Sequence, residues 1–220
     1  MRYHAVMERT GIVAAAVLAS TAVLAAFDQA LDPQSLADAI QIGSTRIDDA
    51  RTRFHAPYHV DVMQPPVDYV EVVTPFRRIV LDAEARARAG ERLYGQREAI
   101  ATLGDNPSRV DLVADLTFHP LNNYVGVPEF TVTLLTAAGT AIQPITIARM
   151  PRFGPRISGT FPYPYAAGGT AAQNGQAPSG GLVVAVFDGR GLDPRGTYVM
   201  SIGEKGKEAA KAPVDFGRLR

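Results

Sequence analysis

At Arg109 the spacing of apolar residues changes from three or four to two, and no helical pattern returns before the chain ends at residue 220. Val110, Leu112, Ala114, Leu116 and Phe118 alternate with Asp111, Val113, Asp115 and Thr117, which is the period of a pleated strand. Phe130, Val132 and Leu134 continue the alternation. Ala138 and Gly139 mark a tight turn, and Ala141 to Ala148 supply a returning strand with Pro144 inside it. Leu182 to Phe187 is apolar on both faces, as a central strand would be. Tyr198, Met200 and Ile202 form another strand, and Val214 with Phe216 a short last one. Parallel neighbours need long crossovers, usually helical. None lies between these runs, so the sheet they form must be mostly antiparallel.

The first half of the chain follows a different period. Asp32 before Pro33 is a helix start, because a carboxylate accepts orphan amide protons and proline at the first helical position loses nothing. This helix should run to about Ile42, with Gly43 as its stop. Thr45 with Asp48 suggests a capping box for a second short helix, whose inner face would be Ile47, Ala50 and Phe54. Residues 58 to 63 and 67 to 73 read as two strands joined through Gln64, Pro65 and Pro66. Thr74 and Pro75 repeat the cap-plus-proline signature, and Phe76, Ile79, Val80, Ala83 and Ala87 follow at helical spacing. Asp82 with Arg86 and Glu84 with Arg88 give this helix an outer face of ion pairs worth about 0.2 to 0.5 kcal/mol each. A further short helix spans about Gln96 to Leu103.

Before all of this stands a charge-free run, Gly11 to Phe27, behind Arg2 and Arg9. A basic flank followed by a short apolar segment is the physics of an export signal, with small residues near Ala25 and Ala26 suited to cleavage. An uncleaved anchor is the alternative. At about 1.5 Å per residue the run spans roughly 25 Å, slightly less than the ~30 Å hydrocarbon core. The organisation expected is therefore a signal peptide or anchor over 1–25, a helical segment with a β-hairpin over 26–108, and an antiparallel β segment over 109–220. The fold class expected is α+β: an antiparallel sheet or sandwich of six to eight strands, with two or three helices from the N-terminal third.

Composition narrows the function classes. The chain holds 22 basic and 22 acidic side chains, so it lacks the positive excess that neutralises a nucleic-acid backbone. It has no cysteine, which excludes disulfides, thiolate nucleophiles and thiolate metal sites. No GxSxG elbow is present. The glycines of Asp188 to Gly196 follow a strand but precede no helix, so they read as a hairpin turn and not as a phosphate loop. Asp111, Asp115 and Glu129 are candidate paired carboxylates, placed by the period on solvated strand faces.

Two constellations carry some chemistry. His55 and His59 are four apart, with Asp61 beside them, a set that could ligate a divalent metal and support a metal-assisted or carboxylate-based hydrolase. Pro57 breaks the helix between the two histidines, and on extended chain they would stand about 13 Å apart at ~3.3 Å per residue. The second constellation is the Pro- and Gly-rich connection 151–181, with FPYPY at 161–165. Arg152, Arg156, Phe161, Tyr163 and Tyr165 are its candidate binding residues, because Arg and aromatic side chains dominate binding hot spots. A stiff loop lying over the sheet is the structural alternative. The function expected is an exported, periplasmic or extracellular, non-enzymatic protein without a cofactor. Its partner would be another envelope protein or a surface polymer, with the membrane involved only through the N-terminal segment.

Overall fold

The computed structural model describes residues 26–91, 93–155, 163–165 and 176–220. The leader reading at 1–25 lies outside the described residues. Four helices, α1 (Pro33–Ser44), α2 (Asp48–His55), α3 (Pro75–Arg88) and α4 (Gln96–Leu103), accompany nine strands among the described residues. These are β1 (His59–Gln64), β2 (Val67–Val73), β3 (Arg109–Thr117), β4 (Phe130–Leu135), β5 (Ala141–Ile142), β6 (Thr146–Arg152), β7 (Gly180–Asp188), β8 (Thr197–Glu204) and β9 (Lys207–Asp215). They form a five-stranded sheet in the order β1-β2-β3-β7-β6 and a four-stranded sheet in the order β5-β4-β8-β9. Every pairing is antiparallel.

The inner faces of the two sheets enclose one core, in which Val72, Leu112, Leu116 and Val183 of the first sheet meet Phe130, Val132, Met200 and Ile202 of the second. Burial of each such side chain contributes about 1.5 to 3 kcal/mol. A second core holds α1, α3 and α4 together through Leu36, Ala39, Phe76, Ile79, Val80 and Ala99. Gly43 lets α1 approach α3: a Cβ there would overlap the Val80 carbonyl oxygen. The outer face of the five-stranded sheet is also covered, because Leu81 of α3 packs with Val73, Val113, Leu182 and Val184, and Tyr163 and Tyr165 lie against the same group.

The caps at Asp32 and Thr74 form as their sequences dictate. Asp32 Oδ1 accepts from Ser35 N at 2.6 Å, and Thr74 Oγ1 accepts from Arg77 N at 3.2 Å. The box at Thr45 does not form. Ile47 is the residue before α2, no side chain caps that helix, and Ile47 is exposed, leaving Phe54 as the contact that joins α2 to both cores.

The nine strands and four helices described exceed the six to eight strands and two or three helices expected, and three strand assignments need correction. The run 141–148 is not one strand: it breaks at Pro144, sending β5 to the four-stranded sheet and β6 to the five-stranded one. Asp188 to Gly196 is not a hairpin turn, since β7 pairs with β3 and β6 while β8 pairs with β4 and β9; the segment is an arch between sheets. The last strand is longer than Val214 suggests, and Phe216 falls in a 3-10 turn after it.

Candidate functional site

Alternation along β1, β2, β3, β7 and β6 brings His59, Asp61, Tyr69, Glu71, Asp111, Asp115 and Arg152 to the outer face of the five-stranded sheet. The period implied a solvated face for β3. Asp111 and Asp115 are instead fully buried, and only Glu129 of the three candidate carboxylates is exposed. The cause is β3's position between β2 and β7, whose own outer residues are covered by α3 and by Tyr163 and Tyr165.

Buried charge must be paired, and the pairing here is extensive. Glu71 receives His59 Nδ1 at 2.7 Å on one side and Arg77 Nη2 at 2.6 Å on the other. Arg77 Nη1 also donates to Val72 O at 2.7 Å, and its guanidinium lies 4.8 Å from the centre of the Tyr58 ring. Arg77 Nε donates to His55 Nδ1 at 3.3 Å, while His55 Nε2 meets Glu84 Oε1 at 2.7 Å and Glu84 Oε2 takes Arg88 at 3.0 Å. The outer face of α3 is thus not simply an exposed set of pairs, because Arg77, Arg78 and Glu84 are buried.

Farther along the face, Asp111 is held by Nε and Nη2 of Arg109, by Arg78 Nη2 at 3.3 Å and by the Tyr165 hydroxyl. Burial raises the Tyr165 phenol well above its ordinary value, with the Asp111 carboxylate adding to the effect, and burial pushes Tyr163 up to about 12. Asp115 receives Arg152 Nη1 at 3.0 and 3.1 Å and the Tyr69 hydroxyl at 3.2 Å, and Arg152 Nη2 reaches across to Leu116 O at 2.7 Å. Glycine at 180 makes this reach feasible: a Cβ on that residue would collide with the Arg152 guanidinium and with the Leu116 carbonyl.

The sequence-derived metal set stands as follows. His59 Nδ1 faces Glu71 and Nε2 faces Asp61 at 3.2 Å; its ring stacks on Tyr69 with centroids 4.6 Å apart. The Glu71 hydrogen bond raises the His59 pKa above its usual value. Both nitrogens of His55 are likewise engaged, on Arg77 and Glu84, and His55 and His59 do not share a carboxylate. Among the described residues no group of three or more His, Asp or Glu side chains is placed to hold a metal ion. Of the binding set, Arg152 is buried in its pair with Asp115, and Tyr163 and Tyr165 are half-buried against the sheet. Arg156 and Phe161 lie outside the described residues.

Sequence reasoning missed Glu71, Arg77, Arg78 and Glu84. The run of β7, apolar on both faces and paired with β3, was the available signal that the alternate positions of β3, and the helix end above them, are covered. One long strand edge is also left open. Among the described residues β6 pairs as a strand only with β7, with Arg149 Nη2 donating to Phe130 O at 2.7 Å, whereas β1 at the other edge adjoins β9, with Gln64 exchanging two hydrogen bonds with the Lys211 backbone at 3.1 and 3.2 Å. Comparison with known proteins found no matching family model, no matching curated protein and no matching solved structure.

Proposed function

We propose that this chain is an exported, non-enzymatic envelope protein whose β-sandwich binds another envelope protein or a surface polymer. The observation that carries the reading is the edge of β6, seven residues long and next to the 151–181 connection, which no other strand pairs with among the described residues. A strand edge offers a row of backbone donors and acceptors to an extended partner, and side chains on either side set the choice of partner. Pro151 has no N–H to offer and Arg149 sets a charge beside that row, which disfavours indiscriminate pairing between copies. The charged residues of the sheet face hold one another, which suits a scaffold.

The hydrolase alternative on His55, His59 and Asp61 has no observation in its favour, because each imidazole is already engaged at both nitrogens. Two experiments test the proposal. Residues 1–30 fused to a reporter active only outside the cytosol should yield active reporter, and an inactive fusion would contradict export. Cross-linked capture from an envelope fraction should give one defined partner with the native chain and none with a Thr146→Lys, Ala148→Lys variant of unchanged melting temperature. Equal capture by the two would remove β6 as the contact.

A further inference from the structure

Leu121 and Val125 are 87% and 97% exposed, and both stand on the connection from β3 to β4. Residues 118–128 contain no Asp, Glu, Lys or Arg, nor do residues 62–67 in the β1–β2 turn, where Met63 is 75% exposed. The strand registers put both connections at one end of the sandwich. Of the other exposed large apolar residues, Ile47 lies between Arg46 and Asp48, Leu93 two residues from Glu91 and Ile100 two residues from Glu98, while Ile145 stands singly just before β6 and Val199 within β8.

Part of the backbone of the β3–β4 connection, around Leu121, is bonded from within. Leu121 N donates to His119 Nδ1 at 3.1 Å, Asn122 N donates to His119 O at 2.9 Å, and Tyr124 N donates to Asn122 Oδ1 at 3.0 Å. Asn122 Nδ2 donates to His119 O at 2.9 Å and to Pro178 O at 3.1 Å, while Pro120 and Pro128 have no N–H to satisfy. These bonds lower the cost of moving the Leu121 side of the loop out of water, since an unsatisfied peptide group is what makes entry into hydrocarbon costly.

At the same end, the β8–β9 turn carries Lys205 and Lys207, two of the chain's three lysines, between Glu204 and Glu208; the Lys205 side chain is 83% exposed and that of Glu204, which stands opposite Phe130 at the start of β4, 27%. Lysine stems can lie along an apolar boundary while their ammonium groups meet headgroup phosphates. A lipid surface needs no pocket complementarity, so separate aliphatic tips on two connections suit it better than they suit a protein groove.

We infer that the β3–β4 connection, with Met63 beside it, seats the protein on a lipid bilayer by dipping Leu121 and Val125 into its interface. This contact is separate from the N-terminal apolar run. The described chain enters at the opposite end, where Phe27 packs on Phe216 at 5.2 Å and Gln29 donates to Gly189 O and Leu192 O at 2.8 Å each. The inference goes beyond the binding role assigned to β6 and does not depend on it.

Because the chain has no cysteine, a single introduced one gives a clean label in the full-length protein. Val125→Cys and, at the far end, Arg190→Cys would each carry an environment-sensitive fluorophore and be mixed with vesicles of phosphatidylcholine alone or with phosphatidylglycerol. The expected result is a blue shift and a several-fold intensity gain at 125, quenchable by labelled lipid tails, with little change at 190. Adding Leu121→Asp should weaken the vesicle response at 125 by about tenfold. A label at 125 that stays aqueous on vesicle-bound protein overturns the inference, as do equal shifts at both positions or a shift at 125 that needs an added envelope protein. Failure of the reporter fusion would count against export and leave the vesicle result standing.

Discussion

The outer face of the five-stranded sheet and the loop end of the same sandwich reverse the usual placement of residue types. On the sheet face Glu71, Arg77, Asp111, Asp115 and Arg152 are buried, while at the loop end Met63, Leu121 and Val125 are in solvent. The difference teaches that burial in this chain follows position in the architecture more than side-chain polarity. β2, β3 and β7 are interior strands beneath α3 and the tyrosines, so any charge on them goes inside and must find a partner. The β1–β2 turn and residues 118–128 at the free end are covered by no other element among the described residues, and they carry no charge in the sequence itself.

This contrast can be broken from the inside. Arg77→Met removes the cation from Glu71 and should cost about 3 to 5 kcal/mol, read as a lower urea midpoint, because it strands a buried carboxylate. A loss below about 1 kcal/mol would mean that Glu71 is adequately held by His59 alone. Gly180→Ala should cost about 1 to 3 kcal/mol, since the new Cβ forces the Arg152 guanidinium or β3 to shift, and combining it with Arg152→Met should cost less than the sum of the two. Additive losses would show that the glycine serves the backbone alone.

The smallest effect is the dependence on pH. The folded-state pKa of His59 is raised above 6.5, so over the interval between the two values the folded chain holds a proton that the unfolded chain releases. Its stabilising contribution is therefore full below about 6.5 and lost as pH rises through the folded value. The melting temperature of the native chain should decline across that interval, and His59→Gln should decline less. Parallel profiles would detach His59 from the network.

Much of the framework could be read from spacing alone. The caps at Asp32 and Thr74, the β1–β2 hairpin and the boundaries of α4 follow from local rules, because proline, a capping side chain and a hydrophobic period act over a few residues. The choice of sheet for β6 and β8 was not legible, since a turn sequence such as Asp188 to Gly196 serves a hairpin or an arch equally well. Nor was the buried network. Asp111 and Asp115 occupy the positions that solvated residues occupy in a one-sided strand, and only the covering of the second face by distant chain makes them interior. Arg152 stood out as a candidate residue for a reason unconnected with its place, because Gly180 and Asp115 are remote from it in sequence.

The most direct test sets one substitution from each region side by side in urea unfolding. Asp115→Ala, which leaves Arg152 buried with its carboxylate gone, should lose about 3 kcal/mol or more. Leu121→Asp, which places a charge where an apolar side chain now stands in water, should stay within about 0.5 kcal/mol of the native chain. The reverse order, with Leu121→Asp the more damaging, would contradict the account that the charges hold the fold and the loop end is its free surface.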